Sequence, residues 1–396
     1  MSLNQVRKFL HKVMKMNNWP VKKLGEICST TQGVQIPKSD QKNHEVDGYK
    51  RYLYISDFYS SENLKYVQDK YPEKIVTDRD IIMANTGTPG KAFRGVDGIL
   101  SNNLFKISIK DSQLDSGYLF YYLTSSNFQR ILQSQMKHGI QMHLGHVTVQ
   151  KQQIVIPPNN IQKKIVERLD AIRKAQELCE EQIQKTEELF ESILETEATS
   201  DSTNIHELNF FTEKVTYGFT NPMPTSNEGP YMVTAKDITE GEVNYYSCRR
   251  TTQEAYDKLI TDKSRPELED ILLTKDGTLG RIALVTIVPL CINQSVALIK
   301  PNKTTVIPQY LKLLLESSKY QRIMKANAGG AIIKHIYITT IDKMKIAVPG
   351  LKKQQEIVKK LEAVQNYKKL LQKEKLLLKE LFDSVIDRSM KGELDN

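Results

Sequence analysis

Two kinds of apolar pattern alternate along the chain, and each occurs twice. Short apolar runs such as YLYISDF (52–58) and NLFKISI (103–109) stand between glycine, asparagine and proline turns, which predicts β-strands. A helix is predicted inside this first region, from about Ser116 to Met136, and QQIVIPP (152–158) reads as a last strand stopped by prolines. Residues 204–349 repeat the plan, with strands predicted in YMVTAKDI, ALVTIV and SVALIKP. Each region is therefore predicted to be a mixed α+β domain.

A long helix without proline is predicted after each domain, the first from about Asn160 to Thr196. Apolar positions spaced by seven with an interleaved four are typical of a coiled coil, so we expect the two helices to pair antiparallel. Lys368 and Lys375 interrupt one row, where Leu377 or Leu381 could pack instead. Two separate amphipathic helices, each covering its own domain, remain the alternative. The first helix carries Ile165, Ile172, Cys179, Thr186 and Ile193 with Leu169, Gln176, Ile183 and Phe190, and the second carries Ile357, Val364, Leu371, Leu378 and Val385 with Leu361 and Phe382.

The two halves are also similar in sequence. DIIMANTGTPGK (80–91) aligns with DILLTKDGTLGR (270–281), and KQQIVIPPNNIQKKIVERLDAI (151–172) aligns with KMKIAVPGLKKQQEIVKKLEAV (343–364). The offset is 190 residues in the first pair and 192 in the second. Chance similarity does not keep so nearly constant an offset over so long a stretch, so the chain is a tandem duplication.

The glycine-rich stretch TGTPGK resembles a phosphate-binding loop, but the match fails. A Walker A loop requires glycine where Asn85 stands and Ser or Thr where Ala92 stands. In the second copy the lysine is replaced by Arg281. The stretch is therefore better explained as a repeated structural loop than as a nucleotide site.

Composition limits the remaining classes of function. The formal net charge of +9 suits a polyanionic partner such as DNA, although many basic proteins bind none. Four dispersed cysteines disfavour both a disulfide framework and a zinc site. No apolar run could span a membrane, and the first twenty residues lack the features of a signal peptide. We therefore expect a cytoplasmic protein without a membrane partner.

A search for catalytic or metal-binding motifs favours a binding protein. The histidines of KHGIQMHLGHVTV (137–149) are not completed by a cysteine or carboxylate nearby, and the second copy keeps only His335. No G-x-S-x-G, H-E-x-x-H or Rossmann motif occurs. We expect no metal and no cofactor in this chain.

The ends of the two domains carry a recurring signature, I-x-[IV]-P followed by Q-x-x-I-V-x-[KR]-L at the start of the long helix. With the opening WPVKKLGEI (19–27), it resembles the specificity subunit of type I restriction–modification systems over nearly the whole chain. The matching residues are Ile154, Ile156, Pro157, Gln162, Ile165, Val166, Arg168 and Leu169, and in the second copy Ile346, Val348, Pro349, Gln354, Ile357, Val358, Lys360 and Leu361. The stretch before Trp19 departs from the usual family start, and its role stays open.

The resemblance implies four segments: a target-recognition domain at 1–157, a spacer helix at 158–199, a second target-recognition domain at 200–349 and a second spacer helix at 350–396. Each domain would read half of a bipartite, asymmetric site in double-stranded DNA. The helices would hold the domains apart and dock two modification subunits. S-adenosylmethionine, ATP and Mg would reside on those subunits and on restriction subunits, and this chain would not be an enzyme.

The candidate DNA contacts combine that implication with the chemistry of base recognition. Arginine and lysine favour guanine or phosphate, and asparagine and glutamine favour adenine. We expect the two glycine loops, the turns that follow and the histidine-bearing loops to form the interface, with solvated charge or turn capping as the alternative. The candidates are Lys91, Arg94, Asn102, Asn103, Lys137, Gln141 and His143 in the first copy, and Lys275, Arg281, Asn293, Gln294, Lys334 and His335 in the second.

Three other functions are compatible with the sequence. The chain could serve a different restriction class or act as an orphan specificity module, which copurification of a methyltransferase would decide. It could instead be a protein scaffold whose domains bind no DNA, in which case binding would show no sequence preference. Catalysis by this chain alone is the least favoured.

Overall fold

The protein is described by a computed structural model that covers residues 19–136, 143–198, 205–329 and 334–390. Its backbone packing divides the chain into two compact units. The first unit contains the residues up to 179 and those from 374 onward, and the second contains residues 180–373. Each long helix therefore contributes one half to each unit.

The first unit is built on two small sheets. Its strands are β1 (Val21–Lys23), β2 (Cys28–Gln32), β3 (Tyr49–Leu53), β4 (Lys65–Gln68), β5 (Ile75–Val76), β6 (Ile81–Ala84), β7 (Ala92–Phe93), β8 (Gly98–Leu100), β9 (Leu104–Ile109) and β10 (Gln153–Val155). One sheet has the order β2-β9-β6-β7 with antiparallel neighbours, and the other has the order β4-β3-β8-β5 with β3 and β8 parallel. Strand β1 pairs separately with β10.

Helices cover one face of the first sheet of this unit. They are α1 (Leu24–Ile27), α2 (Ser116–Thr124), α3 (Ser126–Gln135), α4 (His146–Gln150) and the beginning of α5 (Asn159–Ala198). Tyr118, Leu119 and Phe128 from the short helices are buried against Met83 and Phe105 of the sheet in one core cluster.

The second unit repeats this topology. Its strands are β11 (Ile205–Glu207), β12 (Thr212–Tyr217), β13 (Ser226–Val233), β14 (Ile238–Thr239), β15 (Glu242–Val243), β16 (Arg249–Arg250), β17 (Ile271–Thr274), β18 (Ile282–Leu284), β19 (Leu290–Ile292), β20 (Val296–Pro301) and β21 (Lys345–Ala347). The order β12-β20-β17-β18 matches β2-β9-β6-β7, and the parallel pair β13–β19 matches β3–β8. The helices are α6 (Gln253–Leu259), α7 (Pro308–Glu316), α8 (Ser318–Ala326), α9 (Ile338–Asp342) and α10 (Leu351–Met390). The predicted tandem duplication is confirmed at the level of the fold.

The helix predicted over 116–136 is in fact two helices, because the chain breaks at Ser125. This residue is extended (ψ 142°), and its hydroxyl both accepts from the Phe128 amide and donates to the Tyr122 carbonyl. It therefore ends one helix and caps the next. Ser317 makes the same break between α7 and α8 and donates to the Leu314 carbonyl.

Three strand predictions also need correction. The run YMVTAKDI is a strand only to Val233, because the Asp237 carboxylate accepts from the Thr234 amide and residues 235–237 form a 3-10 turn. The run YLYISDF is a strand only to Leu53, because the buried Asp57 carboxylate accepts from the Tyr54 amide and turns residues 55–58 into a 3-10 turn. The run ALVTIV leaves the sheet after Leu284, because the amides of Thr286 and Ile287 donate to the hydroxyl of Tyr245 instead of to a strand.

The first long helix extends one or two residues beyond the predicted 160–196, the second spans Leu351–Met390, and the two pair antiparallel. In the first unit the beginning of α5, with Ile165 and Leu169, shares a core with Phe382 and Ile386 near the end of α10. In the second unit the order is reversed, because residues from the end of α5 share a core with the beginning of α10. The residues concerned are Phe190, Ile193 and Leu194 of α5 and Ile357 and Leu361 of α10.

The remaining apolar seam positions are buried or half-buried. Leu371 is buried, and Ile172, Ile183, Val364 and Leu378 are half-buried. Leu377 and Leu381 do not replace the interrupting lysines, since they are 54% and 49% exposed.

Ion pairs line the seam in the second unit. The lysines Lys360 and Lys353 both donate to Glu197 and lower the pKa of its carboxyl. Lys368, which interrupts the apolar row, lies 2.7 Å from a carboxylate oxygen of Glu187.

The glutamine of the repeated signature joins each long helix to its domain. The side chain of Gln162 is fully buried, donates to the carbonyls of Pro157 and Gln113 at 2.7 and 2.8 Å, and accepts from the Asp115 amide at 2.8 Å. Gln354 makes the equivalent bonds to Pro349, Thr305 and Ile307. The signature is thus explained by backbone groups that only a side-chain amide at this position satisfies.

Candidate nucleic-acid interface

The two glycine loops have the same backbone geometry. Gly90 (φ +90°) donates to the Ala84 carbonyl at 2.8 Å, and Gly280 (φ +84°) donates to the Thr274 carbonyl at 2.9 Å. A positive φ favours glycine, and a Cβ on Gly280 would lie 2.4 Å from the side chain of Gln321. Each loop is therefore a fixed turn at the end of a central strand, followed directly by a cation.

The cations that follow the loops are exposed but held in place differently. The ammonium of Lys91 lies 4.7 Å from the ring centroid of Tyr59, which is itself exposed. The guanidinium of Arg281 donates to the carbonyl of Ile238 at 3.1 Å. Both side chains keep donors for an anionic ligand.

An uncharged hydrogen-bond network lies beside the glycine loop of the first unit. The amide of Gln32 donates to the Asn102 carbonyl at 2.6 Å, and its oxygen accepts from Asn85. The same oxygen lies 2.7 Å from Nε2 of His146, whose ring is tilted against the Phe105 ring with the centroids 4.5 Å apart. Burial and the neighbouring His143 lower the pKa of His146, so its imidazole is neutral at pH 7 and donates to Gln32.

The corresponding place in the second unit is charged. The Asp276 carboxylate lies 2.5 Å from Nδ1 of His335 and 2.8 Å from the ammonium of Lys275. The ring of Tyr217 lies below two ammonium groups, those of Lys275 at 5.5 Å and Lys263 at 5.4 Å. Lys334, next to His335, is exposed.

The turns after β8 and β19 correspond with an offset of 192 residues. Gly33 donates to the Leu104 carbonyl, and Gly218 donates to the Val296 carbonyl. Asn102 therefore corresponds to Gln294, and both side chains are exposed. A comparison of the two sequences that sets SNN (101–103) against INQ (292–294) pairs Asn102 with Asn293 and is wrong by one residue, because the loops before these turns differ in length by two.

Several candidate side chains serve the fold directly. The Asn293 carbonyl oxygen accepts from the amide and the hydroxyl of Ser295, which makes it a turn cap. Asn103 accepts from the Thr86 hydroxyl. Arg94 lies 4.4 Å from the Phe120 ring centroid and 3.7 Å from the Asp170 carboxylate, and so packs against α5.

The structure brings together Lys275, Arg281, Lys334, His335 and Gln294 around the loop of the second unit. In the first unit, Lys91, Asn102, Asn103 and His143 lie around its loop, whereas Lys137 and Gln141 fall outside the described residues.

Sequence reasoning missed several members of both networks. Gln32, Tyr59, Tyr217 and Lys263 stand in stretches that share little between the two copies. A strand register would have revealed two of them, because Gln32 faces Phe105 in the pair β2–β9 and Tyr217 faces Ala297 in the pair β12–β20. Tyr59 and Lys263 lie in no strand and had no such signal.

No metal centre emerges from the described part of the chain, where no three His, Cys, Asp or Glu side chains converge. Nor does any described helix have the length and hydrophobicity needed to cross a membrane.

The fold defines a class of proteins built from a duplicated α+β unit, with a long helix after each copy and the two helices paired. The chain belongs to the family of type I restriction modification DNA specificity domains, whose model matches residues 16–188 and 223–380. Members of this family are DNA-recognition subunits and not catalytic ones, so the chain is a type I restriction–modification specificity subunit.

Similar proteins agree with this family. The type I restriction enzyme EcoBI specificity subunit of Escherichia coli is 21% identical over 96% of this chain and 86% of its own. The MjaVIII specificity subunit of Methanocaldococcus jannaschii is 29% identical over 40% of this chain and 36% of its own.

Two solved structures share the fold. The type I restriction–modification S subunit from M. genitalium has a TM-score of 0.56 at 14% identity, covering 97% of this chain and 99% of its own. A chain from a structure that describes complex assembly and conformational transition of the type I R-M system has a TM-score of 0.60 at 18% identity. The match covers 95% of this chain and 98% of that chain.

Proposed function

We propose that this specificity subunit reads a bipartite, asymmetric DNA site, one unit per half-site, and docks two modification subunits on its long helices. The observation that carries the proposal is that the surface around the glycine loop has the same backbone plan in both units but different side chains. A shared backbone plan at the glycine loops would give both units the same approach to a duplex. Different side chains give each unit its own preferred bases.

The difference between the edges is one of charge. At three equivalent positions the first unit has Gln32, Asn85 and Thr86, and the second has Tyr217, Lys275 and Asp276. An uncharged amide network suits a base that both donates and accepts, as adenine does in the major groove, and lysine suits guanine. Two half-sites of different composition follow from this contrast.

The helices leave apolar side chains uncovered that could meet a protein partner. Leu376, Leu377 and Leu381 are exposed on the part of α10 that belongs to the first unit. Tyr367 and Leu370 are exposed on the part that belongs to the second. One such patch in each unit supports docking of two modification subunits, one per patch.

Catalytic chemistry would be carried by the partners. S-adenosylmethionine would bind to the modification subunits, and ATP and Mg would bind to restriction subunits that complete the complex. This chain would supply the DNA address and the assembly platform.

The experiment is selection of duplexes from a random library by the full chain in complex with its methyltransferase. We expect one bipartite motif. Lys91→Ala should weaken binding through the first half-site and Arg281→Ala through the second, each by about tenfold, because each removes one charged contact to DNA.

Exposed lysines on the long helices, Lys163→Ala and Lys359→Ala, are the matched controls and should leave affinity unchanged. Selection of no motif, with the methyltransferase still bound, would show that the chain is a scaffold. Unchanged affinity in both loop variants would remove the glycine loops from the interface.

A further inference from the structure

A glutamine from the second short helix holds each glycine loop from behind. The amide nitrogen of Gln129, on α3, donates to the carbonyl of Gly90 at 2.8 Å and to the carbonyl of Leu123 at 2.7 Å. Leu123 lies in the last turn of α2, where helix carbonyls lack partners within the helix. One side chain therefore ties the loop to the end of a buried helix.

The second unit repeats the arrangement with the same atoms. The amide nitrogen of Gln321, on α8, donates to the carbonyl of Gly280 at 2.8 Å and to the carbonyl of Leu315 at 3.0 Å. Both units thus keep the glutamine, although the neighbouring edge positions have diverged from Gln32 to Tyr217 and from Asn85 to Lys275. The two copies therefore share the glycine loop and the glutamine behind it, whereas the side chains beside the loop differ.

The residue after each bonded glycine is the loop cation. Because the carbonyl of Gly90 belongs to the peptide group that ends in the Lys91 nitrogen, fixing this carbonyl fixes the plane from which the Lys91 side chain departs. The same holds for Gly280 and Arg281. Both amide hydrogens of each glutamine are used within the protein, so neither is left to donate to a ligand.

We propose that Gln129 and Gln321 are positioning residues for DNA recognition: each sets the direction of the cation that follows its loop, and each acts on one half-site only. The inference rests on the proposed function, because it assumes that the loops meet DNA. It adds a pair of residues outside the candidate interface whose loss would change recognition without removing any contact to DNA.

The test uses the full chain bound to its methyltransferase and a 30-base-pair duplex carrying the motif recovered by library selection, with a shuffled duplex for comparison. Gln129→Glu keeps the shape of the side chain but has no hydrogen to donate to either carbonyl. We expect it to weaken binding of the motif by about three- to tenfold, the equivalent of one lost hydrogen bond.

A double-mutant cycle distinguishes positioning from general stability. If Gln129 acts through Lys91, the variant carrying both Gln129→Glu and Lys91→Ala should bind no more weakly than Lys91→Ala alone. The slope of log affinity against log salt should fall by about one phosphate contact in all three variants. Gln321→Glu with Arg281→Ala should behave likewise, with the loss confined to the other half of the motif.

Gln133→Glu is the matched control, because Gln133 is exposed on the same helix α3. Full additivity with Lys91→Ala, or unchanged binding by Gln129→Glu, would overturn the inference. Loss of both half-sites in Gln129→Glu would also overturn it, since that result indicates collapse of the chain. If Lys91→Ala itself has no effect, the proposed function fails at the loops, and this outcome is separate from failure of the positioning role.

Discussion

The signature glutamine Gln162 gives the sharpest prediction about stability. Its buried side chain satisfies the carbonyls of Pro157 and Gln113 and the amide of Asp115. Gln162→Met keeps nearly the same volume but removes all three hydrogen bonds. A buried group left unsatisfied costs about 1–3 kcal/mol. The bonds to Gln113 and Asp115 are only partly buried, so the expected loss lies in the lower part of the summed range, and the free energy of unfolding of the first unit should fall by about 3–5 kcal/mol. This is a large share of the total for one domain.

The chain offers a probe for this unit, because Trp19 is its single tryptophan. It adjoins Pro20, whose carbonyl accepts from the Ile156 amide at 2.9 Å, close to the perturbed turn at Pro157. Urea unfolding followed by Trp19 fluorescence therefore reports the first unit, and far-UV circular dichroism reports both. Unfolding in two steps is expected for two units, so each transition is fitted separately.

The equivalent variant and a surface control complete this experiment. Gln354→Met should shift the circular dichroism transition more than the Trp19 transition, because its partners lie in the second unit. Gln133→Met, at an exposed position, should shift neither. A loss below about 1 kcal/mol in Gln162→Met would refute the reasoning, because it would show that these hydrogen bonds contribute little to holding the helix on its domain.

Two further predictions separate the inside of the helix pair from its outside and test a buried carboxyl. Leu361→Ala, in the core of the second unit, should destabilise that unit by about 2–5 kcal/mol. Leu377→Ala, at an exposed position, should change stability by less than about 0.5 kcal/mol but reduce copurification of the methyltransferase. Full recovery of the methyltransferase with Leu377→Ala would contradict docking at that patch. Burial raises the pKa of Asp270 to about 6, so the folded state binds a proton more tightly than the unfolded state, and this residue's contribution to stability falls as pH rises from about 4 to 6. Asp270→Asn should remove that part of the pH dependence of urea unfolding, and an identical pH profile in both proteins would contradict the assignment.

Much of the fold was predictable because the duplication and the heptads are signals of long range. The spacing of Ile165, Leu169 and Ile357 predicted two long helices. The first begins one residue earlier and ends two residues later than predicted. The break at Ser125 was missed, because a serine that caps a helix has the same sequence appearance as one on a helix surface. The end of the strand at Leu284 depends on the hydroxyl of Tyr245, about forty residues away, which no local pattern reveals.

The position of the candidate interface at the glycine loops was predictable from the sequence, but the roles of many of its side chains were not. The glycine loops and the cations Lys91 and Arg281 follow from the repeated letters. The roles of Gln32 and Tyr217 depend on a strand register that brings them to a loop more than fifty residues away. Arg94 was predicted to contact DNA but packs against Phe120 and Asp170. The sequence could not reveal this packing, because it requires the helix α5 to be in place.

Mapping of DNA methylation across a genome tests the central claim most directly. Cells expressing this chain with its methyltransferase are compared with cells that express the methyltransferase alone, and a third strain carries the chain with residues 204–349 exchanged for those of a relative. The account predicts one bipartite asymmetric motif, with the exchange changing one half and leaving the other intact. Unchanged methylation with the methyltransferase still bound to the helices, or a change in both halves on exchange, would contradict recognition by one unit per half-site.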